Sequence, residues 1–404
     1  MNPVLALALL LVAGLAMTYL SLPRLRHNLS LDLAVAAGAP FVLVGLLLGP
    51  GIGVLDHTTL RALAPVTALG IGWIGAGVCA QLEWRLLRRI PPRVWGLAAL
   101  QAAIVLIATV LTAWLLAHEL PALAAAWRPR LPALLTLAAV ATISGPSAVA
   151  LVAQGLGVRR SLTRALGRAA LLDTAFGALA FTLALGLYHP RQPFAGGGVV
   201  LGWAYWVAVA VAASGGVGVL FLWLSRLRTE TSALGLDLLG VILFGSGLGY
   251  AAEVSPFVVC ALATALIVNL SPLRRQVQAL LAAWEPAIYA VFFIVAGALL
   301  DLPTVWLVPA ALLLGAVRVA ARWAAVRYGR EWLKVPHLPP NVGLATVPQG
   351  GVALALASSF ALIYAGSSAG STILTTVLIG VMLAQAIAAP LLALALRSAP
   401  PEVT

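Results

Sequence analysis

Apolar stretches about twenty residues long recur from one end of the chain to the other, separated by short breaks rich in Arg, Pro and Gly. That pattern limits the fold more than any other feature. A bilayer core takes about 20 apolar residues per spanning helix, and backbone groups inside it must be bonded within the protein. Cutting the chain at its charge and Pro/Gly breaks predicts an all-α polytopic membrane protein with about 13 transmembrane helices. They are expected near 4–22, 31–50, 62–80, 94–117, 131–154, 164–188, 198–224, 233–251, 255–270, 285–300, 303–326, 342–365 and 371–396. Composition agrees: 9% of residues are charged, against about 25% in soluble chains.

The net charge of +12 would suggest nucleic acid in a soluble protein. Here the cations flank apolar segments and form no basic stripe interleaved with aromatics, so no nucleic-acid partner is expected; the partner is the lipid bilayer. The first span lacks a basic leader and offers no small-x-small site before Pro23, so it is expected to stay as a helix. Seventeen of the 24 Lys and Arg lie in connections on one side, from Arg24 and Arg26 to Arg397. Four (Arg61, Arg128, Arg130, Arg191) lie on the other, and Arg168, Arg318 and Arg322 fall within spans. The positive-inside rule then puts the N-terminus outside and the C-terminus in the cytoplasm, most simply in a bacterial inner membrane. The connections are short, so residues 1–404 are expected to form one transmembrane domain. Cys79 and Cys260 lie in apolar runs, and the five His lie in polar breaks (His27, His57, His118, His189, His337). Neither set suggests a metal or haem site. No cofactor is expected, and with no nucleophile, base and orienting group converging, no enzyme.

Function must therefore lie with polar groups forced into hydrocarbon, where a charge costs at least about 2.5–3.5 kcal/mol. Of twelve acids, eight sit in connections or tails (Asp56, Glu83, Glu119, Glu230, Glu253, Asp301, Glu331, Glu402). Three are expected in the first turns of helices (Asp32, Asp237, Glu285). Asp173 remains, well inside the sixth span. A carboxylate there is neutral, paired or facing water. Arg318 is the natural counter-charge, and Arg322 lies one turn later on the same face; either can pair with it.

Two spans carry breakers at mid-length: Thr142-Ile143-Ser144-Gly145-Pro146-Ser147 in the fifth and Thr346-Val347-Pro348-Gln349-Gly350-Gly351 in the twelfth. Pro and Gly release backbone groups at membrane depth, which protein or water has to satisfy. Each broken span is the middle of a triplet, spans four to six and eleven to thirteen. Matched interruptions of this kind point to a transporter's ion site.

Four stretches together resemble the monovalent cation:proton antiporter superfamily, sodium/hydrogen exchanger type, over about residues 38–395. They are Gly45 to Gly53 with Gly75, Gly77 and Leu82-Glu83; Ala141 to Val149 with Leu156-Gly157-Val158 and Leu171-Leu172-Asp173-Thr174; Ser255-Pro256-Phe257 to Asn269 with Phe292 to Leu302; and Leu344 to Leu354. The resemblance implies a sodium/proton antiporter-like fold of inverted repeats with two unwound, crossing helices. It divides the helices into a core (about 94–188 and 303–396) and a panel (about 4–80 and 198–300) that often forms a homodimer interface. It also implies alternating access by movement of the core. Family members carry Asp-Asp or Asn-Asp on the carboxylate helix, with the second acid taking the ion. Here the pair is Asp173-Thr174, and Gly145 stands where some relatives have an acid.

The expected activity is exchange of a monovalent cation, Na+ or K+, for protons. Asp173, Thr174, Ser144 and Ser147 would be the ion and proton ligands. Gly145, Pro146, Pro348, Gln349 and Gly350 would form the unwound backbone, and Arg318 and Arg322 would compensate charge. The alternative is a non-transporting or channel-like relative in which Asp173 and Arg318 form a structural ion pair.

Overall fold

The structure is a computed structural model and describes residues 3–21, 38–155, 157–158, 160–191, 193, 198–227, 231–335 and 339–397. His27, Asp32, Leu156, Arg159, Arg228, Glu230, His337, Glu402, Arg24 and Arg26 lie outside these residues, as does the start of the second expected span. Among the described residues there is no strand. The α-helices of eight residues or more are α1 (Pro3–Ser21), α2 (Ala39–Leu46, continued by a π turn to Gly51), α3 (Ala64–Cys79) and α4 (Pro92–Glu119). Then come α5 (Arg130–Thr142), α6 (Pro146–Gly155), α7 (Arg160–Leu187), α8 (Gly198–Leu227), α9 (Thr231–Ala251) and α10 (Pro256–Leu270). The last are α11 (Arg274–Ala298), α12 (Leu307–Trp332), a 3-10 turn (Val342–Thr346), α13 (Gly350–Ile363) and α14 (Ser368–Arg397). Eight segments of at least 18 residues are apolar enough to cross a membrane, and five shorter apolar helices accompany them among the described residues. The protein is a multi-pass membrane protein.

The two expected mid-span breaks are real. α5 stops at Thr142 and α6 starts at Pro146; the 3-10 turn stops at Thr346 and α13 starts at Gly350. Pro146 opens α6 and Pro348 stands in the second interruption; without an N–H neither can continue the ladder. α4, α5, α7, α12, α14 and the 3-10 turn pack on one another, while α2, α3 and α8 to α11 pack together; α13 touches both α14 and α3. Helices approach closely where glycines remove Cβ. A methyl on Gly45 of α2 would stand 2.0 Å from the Ile294 carbonyl oxygen of α11, and one on Gly297 would stand 2.2 Å from that of Val42. Bulkless contacts of this kind are how helices associate in lipid, where apolar burial between them gains little.

Glu285 does not begin a helix: α11 starts eleven residues earlier, at Arg274, and Glu285 lies inside it, next to Pro286. The amphipathic stretch before it is helical because its polar side chains find partners. Gln278 donates to the Ala80 carbonyl (2.7 Å) and to Glu83 (3.1 Å). Asp237 likewise lies in the second turn of α9 and is buried. Asp173 is thus one of three acids placed well inside described helices; Glu119 and Glu331 lie in the last turns of α4 and α12. His189 follows α7 but is buried, with Nε2 3.0 Å from the Glu253 carbonyl oxygen; burial pushes its pKa below the usual imidazole range.

Candidate ion site where the broken helices cross

The end of α5 releases a run of carbonyls into the interior, and every one from Val140 to Ser144 meets a side-chain donor. Gln349 donates to Val140 (3.0 Å). Arg318 Nε donates to Ala141 (2.8 Å) and its Nη2 to Ile143 (2.8 Å). Arg322 Nη2 donates to Thr142, and the Thr174 hydroxyl to Ser144. Arg318 also reaches across to the other broken span, where Nη1 donates to the Val347 carbonyl (2.7 Å). Two guanidiniums therefore cap the C-terminal, partly negative end of α5, where cations are favoured. They also satisfy groups that lipid could not.

The two interruptions touch directly. Gly145 N–H donates to the Pro348 carbonyl (2.8 Å), and the Ser144 hydroxyl lies 2.6 Å from the Thr346 carbonyl oxygen. Gly350, at φ +66°, takes the left-handed turn that lets α13 leave the crossing, a conformation with little cost only for glycine.

Asp173 lies against this crossing, 2% exposed. Three donors converge on its Oδ2, each at 2.8 Å: Arg322 Nη1, Ser144 Oγ and Gln101 Nε2. The ion pair is Asp173–Arg322, both members buried. This corrects the expectation centred on Arg318, whose guanidinium is spent on three carbonyls instead. Arg322 is one turn further along α12 and also donates to Thr346 Oγ1 (3.0 Å) and to Ser144 Oγ (2.7 Å).

Other expected residues divide. Ser144, Gly145, Pro348, Gln349 and Gly350 meet at the crossing. Pro146 is the first residue of α6. Thr174 is fully buried, with its hydroxyl bonded to the carbonyls of Ser144 and, at 2.8 Å, Ala170; it ties α7 to the break rather than pointing at Asp173. Ser147 is exposed in the first turn of α6 and joins none of these bonds, because the turn at Pro146 carries it past the crossing. Gln101 and Thr346 complete the cluster. Gln101 went unread as a site residue, although a lone amide in the apolar run of α4 is itself a signal of a polar partner.

Asp173, Gln101 and Thr346 form one end of a cavity of about 310 Å³. The same cavity is lined by Arg89, before α4, and by Arg168, five residues before Asp173 on α7, both exposed. The carboxylate is thus both paired and in a cavity wall. Replacing Gln101 by Leu removes one of three donors to a buried charge. Thermal unfolding in detergent is expected to show a loss of about 1.5–3 kcal/mol, the range for hydrogen bonds to charged groups; an unchanged midpoint would show that the amide contributes nothing there.

No curated protein matches the chain by sequence. In structure it is similar to the sodium proton antiporter MjNhaP1 from Methanocaldococcus jannaschii at pH 8. The TM-score is 0.66 at 15% identity, covering 96% of this chain and 100% of that one. It is similar also to an electron-microscopy structure of the same antiporter, with TM-score 0.66, 16% identity and coverage of 99% and 100%. That likeness shows the fold. Residues 78–394 match the family described as sodium/hydrogen exchanger, transmembrane. The chain belongs to the sodium/hydrogen exchanger family and is a cation/proton antiporter of it.

Proposed function

We propose that Asp173 is the group at which proton and cation compete, and that Arg322 is its resident partner when neither is bound. The observation that carries this reading is the double placement of Asp173, bonded to Arg322 at 2.8 Å and at the same time in the wall of the cavity. A protonated Asp173 holds no monovalent cation; an ionised one binds either Arg322 or an incoming Na+ or K+. Arg322 keeps its bonds to Thr142, Ser144 and Thr346 in either case, so its charge stays fixed while the carboxylate changes occupant. The hydroxyl of Ser144 and carbonyls at the crossing supply oxygen ligands of the kind hard cations prefer. The exchange needs no covalent step and no cofactor.

The cavity would be the access route on one side. By the distribution of Arg between connections that side is the cytoplasm, the N-terminus lies outside, and the membrane is the cell membrane. The triplets α4–α7 and α12–α14 would move as a core against a panel formed by the remaining helices, in a homodimer. Proteoliposomes carrying a pH gradient test the central claim. Addition of Na+ or K+ is expected to dissipate the gradient with the parent protein, and Asp173→Asn is expected to reduce the rate to that of empty vesicles. Parental rates in Asp173→Asn would overturn the assignment of Asp173.

A further inference from the structure

The cavity beneath Asp173 is poorly matched to an alkali ion along most of its length. α4 turns Val94, Leu97 and Ala98 toward it, followed by Gln101, and α7 presents Ala169 and Leu172. On each helix these positions recur three and four apart, so each lines the cavity with one continuous face. Those faces are apolar and offer a cation no ligand until Gln101 and Asp173 are reached. From Pro92 to Gln101 the helix rises about 13.5 Å, which sets the depth. The charges are unequal: Arg89 and the exposed Arg168 line the cavity and Arg322 is bonded to Asp173, against the single carboxylate.

We propose that this cavity binds a single-chain amphiphile with an anionic head, the head held by Arg89 and Arg168 and the tail lying on the apolar faces of α4 and α7. The charge of the mouth selects an anion over a cation, since guanidiniums pair with carboxylate, sulfonate or phosphate groups. The volume, about 310 Å³, is at the small end of ligand pockets, about 300–1,000 Å³, and suits one chain rather than two. A seated tail stands between solvent and Asp173. The effect on exchange rests on the cavity being the ion's route, as proposed above; binding itself does not.

Octanesulfonate is a suitable probe because its permanent charge prevents it from carrying protons; octyltrimethylammonium is the control of equal chain length. Native mass spectrometry of the full-length protein is expected to show octanesulfonate bound and the cationic control not bound. Arg89→Ala with Arg168→Ala is expected to weaken binding at least tenfold, and Ala98→Phe, which fills the cavity, to remove it. In proteoliposomes octanesulfonate is expected to slow exchange by the parent and not by the Arg89→Ala, Arg168→Ala double variant. Equal binding of the two probes, or binding that survives both the double variant and Ala98→Phe, overturns the proposal. Binding that leaves exchange untouched upholds the site and counts instead against the cavity as the ion's route.

Discussion

Replacing Arg322 by Met is expected to destabilise the protein by about 3–5 kcal/mol, the range for breaking a buried pair from one side, read as a lowered unfolding temperature in detergent. The guanidinium is fully buried and bonds Asp173, Ser144, Thr346 and the carbonyl of Thr142. Its loss leaves a carboxylate without its cation and a released carbonyl without its donor. Lys is not a remedy, because one ammonium point charge cannot reproduce the planar fork that reaches Asp173 through Nη1 and Thr142 through Nη2. Asp173→Asn introduced beside Arg322→Met should recover a large part of the loss, since the uncompensated charge is then gone. Arg318 provides the contrast. Arg318→Met also removes three bonds, to Ala141, Ile143 and Val347, and is expected to be damaging, but none of those bonds involves Asp173. Its coupling to Asp173→Asn in a double-mutant cycle should be much the smaller of the two. A larger coupling for Arg318 would reverse the roles assigned to the two arginines.

The sequence exposed the two interruptions and Asp173 because each violates a local rule: proline and glycine inside apolar spans, and an acid where no short side chain reaches water. It did not separate Arg318 from Arg322. They share a helical face one turn apart, and which one meets Asp173 depends on how far α12 extends past the crossing, a tertiary quantity. Ser144 and Ser147 also look equivalent on paper. Only the extended backbone at Ile143, with ψ 138°, and the restart at Pro146 turn one inward and leave the other exposed. Glu285 was misplaced for a different reason. Apolar-run length measures the lipid-facing stretch, whereas α11 extends beyond it through polar residues held by Glu83 and Ala80. Gln101 shows the limit on neutral side chains: a carboxylate at depth demands a partner on energetic grounds, while an amide in an apolar helix can satisfy itself locally and so attracts less suspicion.

Gly145→Ala is expected to remove exchange and to lower stability by about 1–3 kcal/mol or more, the cost of overpacking a tight contact. A Cβ at this position would stand 2.6 Å from the carbonyl oxygen of Gln349, 2.9 Å from its carbon and 3.2 Å from the Gly350 nitrogen. All three are backbone atoms of the other broken span, so no rotamer change relieves the clash; the crossing itself has to open. Opening it strains the Gly145–Pro348 and Ser144–Thr346 bonds, and with them the carbonyl positions on which Arg318 and Arg322 are fixed. Gly77→Ala in α3 is the matched control, because a Cβ there meets nothing within 4 Å and alanine is the better helix former by about 0.5–1 kcal/mol. Unfolding temperatures and exchange rates of the two variants should therefore diverge in opposite directions, and a Gly145→Ala protein as active and stable as Gly77→Ala would mean the spans do not cross at that point. The same clash bears on any acid placed at this position. In this chain the space for such a side chain is filled by the backbone of Gln349, so Gly145→Glu should fail to create a second ion ligand and should behave as a more severe form of Gly145→Ala. On the proposal above, exchange then runs through Asp173 with Arg322 as its partner.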